Sequence, residues 1–367
     1  MKIWYTSLLS ILWILVIRPD LKSQTDPGME YLNSIKKIDI HTHVRSEADY
    51  LQEFMDEFNF KMVTISSGRK SGREFSEQLV SESPRYFGWI TGIDIEGILE
   101  EGWADKIISN LKKDFENGAV GVKVWKSIGM SIQKENGEYL QIDDPLFDPI
   151  LKFIASENKT LIAHLGEPIH AWMPTYITKE GTPRNYWANH PEYSFYDHPE
   201  KPSYSDIMAA RDHVVERYPE LRFVGAHLAS LEFDVDEIMM RMEMYPNFAV
   251  EIGGRMRYLM WQARGKVKYF FENYSDRIMY GTDRGSGRDM NADQYESQRE
   301  NLYGRYKAFS QYLVTEDDIP FSNIVREDKA YPKPLYTVKG LGLSKEVLEN
   351  IFYNTPIKWF PGVEKNF

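Results

Sequence analysis

Hydrophobic residues along this chain fall into two alternating patterns. Short runs of five to nine residues, rich in Ile and Val, end at a glycine, imidazole or charged group. Longer stretches follow, with apolar residues three and four positions apart. The short runs predict strands at Lys37–Val44 and at residues 61–67, 86–94, 120–126, 160–165, 222–227, 248–252 and 277–283. The longer ones predict helices, as at residues 48–58, 103–117 and 146–158, with Gly118 a natural C-cap after Asn117. Eight strand-then-helix units over about 330 residues predict an α/β fold, a single (β/α)8 TIM barrel with insertions. A doubly wound sheet would want a glycine-rich loop after the first strand, where His41-Thr42-His43 stands instead. Two connections are oversized, residues 167–204 after strand five and 284–341 after strand eight, and are expected to cap the barrel mouth.

The ends and the composition refine this picture. Met1-Lys2, an apolar run over residues 3–17 and a polar stretch to Gly28 have the form of a signal peptide, so residues 1–28 are assigned to a signal and short linker and 29–367 to the barrel. The run is shorter than the roughly 20 residues of a spanning helix. That predicts an exported protein, periplasmic or secreted, with no membrane attachment after cleavage. A net charge of -11 argues against nucleic acid as a partner. The chain has no cysteine, so any metal must be held by histidine and carboxylate.

Residues two apart on a strand share a face, about 6.6–7 Å apart, so His41 and His43 can reach one ion. His164, His227 and Asp283 end strands five, six and eight, and in a barrel these ends converge on one face. A lone histidine on a strand is usually a packed residue, but this conjunction predicts a divalent metal with room for a water to be activated. His170, His190, His198 and His213 fall in the long loop or a helical pattern and read as solvated or structural.

With these motifs the chain resembles the amidohydrolase superfamily, in its branch of aminocarboxymuconate semialdehyde decarboxylase and pyrone-dicarboxylate lactonase. The resemblance runs from Ile38 to Phe360. It rests on Ile38-Asp39-Ile40-His41-Thr42-His43, Gly121-Val122-Lys123-Val124, Ala163-His164, Gly225-Ala226-His227-Leu228, Met279-Tyr280-Gly281-Thr282-Asp283 and the closing Asn354-Thr355-Pro356-Ile357-Lys358-Trp359-Phe360. It implies one divalent ion, zinc first and manganese second, held by His41, His43, His164 and Asp283. It further implies that His227 orients a water or polarises the substrate and that Asp283 also moves a proton. Lys123 has three readings: a carboxylated bridge between two metals as in some superfamily members, a cation for the substrate, or an ion pair inside the barrel. After Asp283 the chain departs from the branch, with Arg284-Gly285-Ser286-Gly287-Arg288 and a long insertion.

Basic residues recur after the strand ends of this acidic chain: Arg45, Arg69 and Lys70, Lys126, Arg255 and Arg257, and Arg284 and Arg288. Their field over the metal would favour a small anionic substrate. Trp125, Trp172, Tyr176, Tyr186 and Trp187 add flat surface suited to a ring. Substrate contacts are accordingly expected from Lys123, Arg45, Trp125, Lys126, Trp172, Arg255 and Arg284. The leading reading is an exported metal-dependent hydrolase of a cyclic lactone, ester or amide. The alternatives are a non-oxidative decarboxylase on the same site and an exported binding protein with a structural metal. Homo-oligomerisation is left open. If residues 3–17 are a signal, N-terminal sequencing of the mature secreted protein will find its first residue between Asp20 and Gly28; an intact Met1 on soluble protein from the native host would contradict export.

Overall fold

The computed structural model describes residues 27–174, 194–320 and 337–367. The predicted signal, Tyr176, Tyr186, Trp187 and His190 lie outside the described residues. A nine-stranded sheet runs in the order β8-β7-β6-β5-β4-β3-β2-β1-β9, every neighbouring pair parallel. The strands are β1 (Lys37–Val44), β2 (Phe60–Ile65), β3 (Phe87–Gly92), β4 (Gly121–Val124), β5 (Thr160–Ala163), β6 (Arg222–Gly225), β7 (Phe248–Glu251), β8 (Ile278–Met279) and β9 (Arg284–Ser286). Helices connect them, among them α1 (Pro27–Ser34), α2 (Asp49–Phe58), α3 (Lys70–Glu82), α4 (Trp103–Glu116), α5 (Asp148–Ser156), α6 (Tyr204–Arg217), α7 (Val235–Met244) and α8 (Arg264–Tyr274). This is the predicted (β/α)8 barrel.

Strand alternation divides the apolar residues into two cores. Ile38, Ile40, Val63, Ile90, Ile162 and Val224 fill the barrel interior, closed off by Trp359, Phe360 and Val363. A larger core packs the outer strand faces against the helices, through residues such as Val44, Phe60, Met62, Leu111 and Phe270. β1 changes faces part way along. Its register against β2 pairs Asp39 with Met62 but Thr42 with Thr64, so one extra residue sits between. Before this bulge the even residues Ile38 and Ile40 point inward; after it Val44 packs outside. His41 and His43 therefore face the barrel mouth, which an unbulged strand would have denied them.

The eighth strand is not the single run predicted at 277–283. It is broken into β8 and β9, and Asp283 sits in the break with φ 58°, a left-handed value that Asp tolerates. The break still closes the barrel: Ile40 N–H donates to Tyr280 O at 3.2 Å, Asp283 N–H donates to His41 O at 2.8 Å, and β9 then pairs with the end of β1. Gly285 is needed there, because a Cβ would lie 2.1 Å from His43 O. The oversized connection after strand eight is likewise not a bare loop but carries β9 and a 23-residue helix, α9 (Ala292–Val314), opened by an Asn291 capping box.

Asp39, fully buried, ties the two sides of the closure together. Its carboxylate accepts the N–H groups of His41 at 3.1 Å and Thr282 at 3.0 Å, and the Thr282 hydroxyl at 2.6 Å. Asp39→Ala would strand these donors without water, and a loss of about 3 kcal/mol is expected in urea unfolding. Asp39→Asn, which keeps one acceptor oxygen, should lose less.

Candidate metal centre

Beyond its bulge β1 delivers His41 and His43, and the break in strand eight turns Asp283 toward them. Asp283 Oδ1 lies 3.2 Å from His43 Nε2 and 3.6 Å from His41 Nε2. Ligands about 2.0–2.2 Å from one tetrahedral ion stand about 3.3–3.6 Å apart, so this spacing is that of a coordination shell. The His41 ring is fixed from behind: its Nδ1 lies 2.8 Å from Glu251 Oε1, at the end of β7. Nδ1–H donation to that carboxylate places the Nε2 lone pair toward Asp283. Glu251, His41 and His227 also cluster closely enough to hold an ion. Here, though, Glu251 accepts the His41 ring proton, the His227 backbone N–H at 2.5 Å and the Gly253 N–H at 2.5 Å. These contacts occupy Glu251 as an acceptor and hold the His41 ring from behind.

His164 follows β5 and His227 follows β6. Their ring centroids lie 4.4 Å apart, and the His227 ring is 4.7 Å from that of His41. His227 does not end a strand as predicted; it opens a turn in which His227, Leu228, Ala229 and Ser230 all have φ of 57–58°. Four consecutive non-glycine residues in the left-handed region cost roughly 1–2 kcal/mol each. The surroundings hold the turn in place. Arg211 Nη1 donates to Ala229 O at 2.7 Å, Tyr204 OH to Ser230 O at 2.5 Å and Ser230 Oγ to Leu165 O at 2.8 Å. His227 Nδ1 donates to Gly253 O at 2.7 Å, which leaves Nε2 as the acceptor nitrogen of the ring.

Burial governs the charges of this cluster. It lowers the pKa of His41 and of His164, the latter well below the ordinary histidine value, and that of His227 to about 3. All three rings are therefore neutral ligands or acceptors at pH 7. Burial also works to raise the Glu251 carboxyl, but His41, His227 and Lys123 together outweigh it and the group falls to about 2. Asp283 is held well below the usual carboxylate range: burial opposes ionisation, but the His43 hydrogen bond and the His41 ring prevail. Lys123, on β4, is 0% exposed, and its Nζ has no hydrogen-bond partner among the described residues. Burial brings its pKa to about 8 against the pull of Glu251 and Asp283.

The other predicted contacts separate into two groups. Trp125 stands beside the centre, its ring 6.1 Å from that of His43 and 5.8 Å from Lys123 Nζ. Arg255, 13% exposed, lies between Glu232 at 4.0 Å and Glu167 at 3.8 Å. Arg45 lines a cavity of about 540 Å³ that opens from His43 and Trp125. Lys126 is instead paired with Glu167, and Arg284 begins β9 opposite Thr42. Trp172 packs within its own loop against Phe195 and Tyr204 and donates to Pro202 O. His198 and His213 pair with Glu200 and Asp143 at the surface, and His170 packs near Tyr258.

The donor set fits a divalent ion. Among the described residues, the buried nitrogens His41 Nε2 and His164 Nε2 have no hydrogen-bond partner, an arrangement that costs stability unless something else binds them. Glu251 and Asp39 were missed in the sequence. Glu251 carried one available signal, a carboxylate at the C-terminal end of a strand otherwise apolar in Phe248-Ala249-Val250.

A family model described as amidohydrolase matches residues 64–362, most of the chain, beginning after the His41 and His43 strand. No curated protein matches the chain. Among solved structures, an uncharacterised TIM-barrel protein from Bordetella bronchiseptica aligns at TM-score 0.50 and 11% identity, covering 90% of this chain and 99% of that one, and shows the shared fold. A 2,6-dihydroxybenzoate decarboxylase from Rhizobium aligns at TM-score 0.47 and 14% identity, covering 89% and 98%. A probable 2-pyrone-4,6-dicarboxylic acid hydrolase from Acinetobacter baumannii aligns at 0.45 and 13%, covering 89% and 99%.

Glu251→Gln keeps the shape of the side chain but loses its charge and one acceptor oxygen. Metal affinity is expected to fall about 10–100-fold, read by competition with a chromogenic chelator, while circular dichroism stays that of the wild type.

Proposed function

We propose that this chain, which belongs to the amidohydrolase family, is a metal-dependent carbon–carbon lyase that removes a carboxyl group from a small cyclic carboxylic acid without an oxidant. One observation carries the choice: at the deep side of the centre His41, His227, Glu251 and Lys123 are buried, and among the described residues the Lys123 ammonium has no hydrogen-bond partner. A fixed cation in a water-poor place suits an anionic substrate, and a carboxylate stripped of water is poised to leave as neutral carbon dioxide. His41, His43, His164 and Asp283 would hold one divalent ion, with zinc favoured by the imidazole-rich donor set and manganese the ion to compare. When bound, that ion supplies a Lewis acid for the substrate oxygens.

The chain's own residues then divide the work. Lys123 orients the anion, with Arg255 a second cation nearby. Trp125 offers a ring face. As the carbon–carbon bond breaks, its electron pair passes to the ring and carbon dioxide leaves; the proton the ring carbon then takes would first be accepted by His227 Nε2, unprotonated at rest, from solvent or from an acidic group of the substrate, with the ionised Asp283 beside it able to relay that proton. Hydrolysis is the second reading. It is favoured by the exposure of His43 and Asp283, at 22% and 33%, through which water could reach that side of the centre. The apolar run at residues 3–17 supports export as the setting for either reaction.

The test is turnover of metal-loaded protein on aromatic and unsaturated carboxylic acids, followed by carbon dioxide release, beside lactones and esters followed by acid production. Carbon dioxide from an acid is expected. Turnover of lactones or esters with no acid decarboxylated would replace this reading with hydrolysis. In the active assay His227→Ala should keep its metal and lose about 10²-fold in rate, the usual scale for a positioned proton carrier.

A further inference from the structure

We infer that the substrate is at least a dianion, and that its second oxyanion is held by Arg45, Arg69 and Arg288 across the cavity from the metal centre. The inference rests on the proposed carboxylate chemistry and adds a substrate class to it. The cavity of about 540 Å³ starts at His43 and Trp125 and lies within the range of small-molecule sites. Its three arginines come from separate connections: Arg45 follows β1, Arg69 precedes α3, and Arg288 follows β9. Among the described residues no Asp or Glu lines it, in a chain whose acidic residues outnumber Lys and Arg by 55 to 44.

Neighbouring basic side chains are neutralised where these are not. Lys70 pairs with Glu74 at 3.6 Å and Arg73 with Asp114 at 2.7 Å. Arg45, Arg69 and Arg288 form no ion pair among the described residues. The side chain of Ser71 and the start of α3 border the same space, and that helix has no side-chain cap and no acid in its first turn. Three guanidiniums around one cavity that no described carboxylate lines make a field for a carboxylate or phosphate, and the planar forks of arginine suit either.

Calorimetric titration of the metal-loaded protein with benzoate, terephthalate and 4-phosphonobenzoate tests this without any turnover. At least one of the two para-substituted dianions should bind 10-fold or more tighter than benzoate, and the tighter of the two identifies the second group as carboxylate or phosphate. In the Arg69→Gln/Arg288→Gln double variant most of that advantage should vanish while benzoate binds as before. Added salt should also shrink the advantage, because the three arginines are exposed. If benzoate binds and neither dianion improves on it, or the advantage survives in the double variant, the second-anion site is overturned and the carboxylate reading stands. If none of the three binds, both fall.

Discussion

A single inserted residue in β1 governs the chemistry of this protein. Side chains on a strand alternate between faces, so a strand that fills the barrel with Ile38 and Ile40 must send its odd-numbered residues outward. The bulge between Asp39 and Thr42 reverses that parity before the strand ends. Hydrophobic residues thus serve the interior at one end of β1, and two imidazoles serve the mouth at the other. The core and the centre are built from one strand without competing for its inner face.

Two buried carboxylates then convert placement into aim. Asp39 accepts from β1 and from the break in strand eight, which sets where Asp283 departs from the sheet. Glu251 accepts from the His41 ring and from the backbone at His227 and Gly253, linking His41 on β1 to the turn after β6. Both carboxylates are surrounded by donors, which is how a protein carries buried acids without losing its fold. Their opposite pKa directions reflect their neighbours: Asp39, desolvated with Thr282 and backbone N–H groups as its donors, is raised to about 7, whereas Glu251, which faces His41, His227 and the Lys123 ammonium, is lowered against its burial.

Most of this architecture could be read from the residues, because strand runs, helical spacing and charged strand ends each leave a periodic trace. His-x-His was informative for the same reason. What escaped notice depends on contacts distant in the chain. The bulge shows only when β1 is laid against β2. Glu251 gains its meaning from a histidine 210 residues away. The break at Tyr280 to Asp283 shows only through distant partners, since Tyr280 O and Asp283 N–H bond to β1 while Tyr280 N–H donates to Ile351 O. Trp172 was drawn toward the site by its aromatic character alone, and its actual partners are in its own loop.

The left-handed turn at His227–Ser230 sets stability and activity against each other. Glycine at Leu228 or Ala229 would relieve backbone strain, and a selection for heat resistance alone would tend to accept it. The same change would let the His227 ring wander from the face that Gly253 and Glu251 hold it to. Gly225, by contrast, has no such freedom, since a Cβ there would lie 2.3 Å from that of Ala229. With His227 in the role proposed above, a directed-evolution lineage of this protein chosen only for robustness would drift toward a better-folded and slower molecule, with the first signs appearing at these four positions.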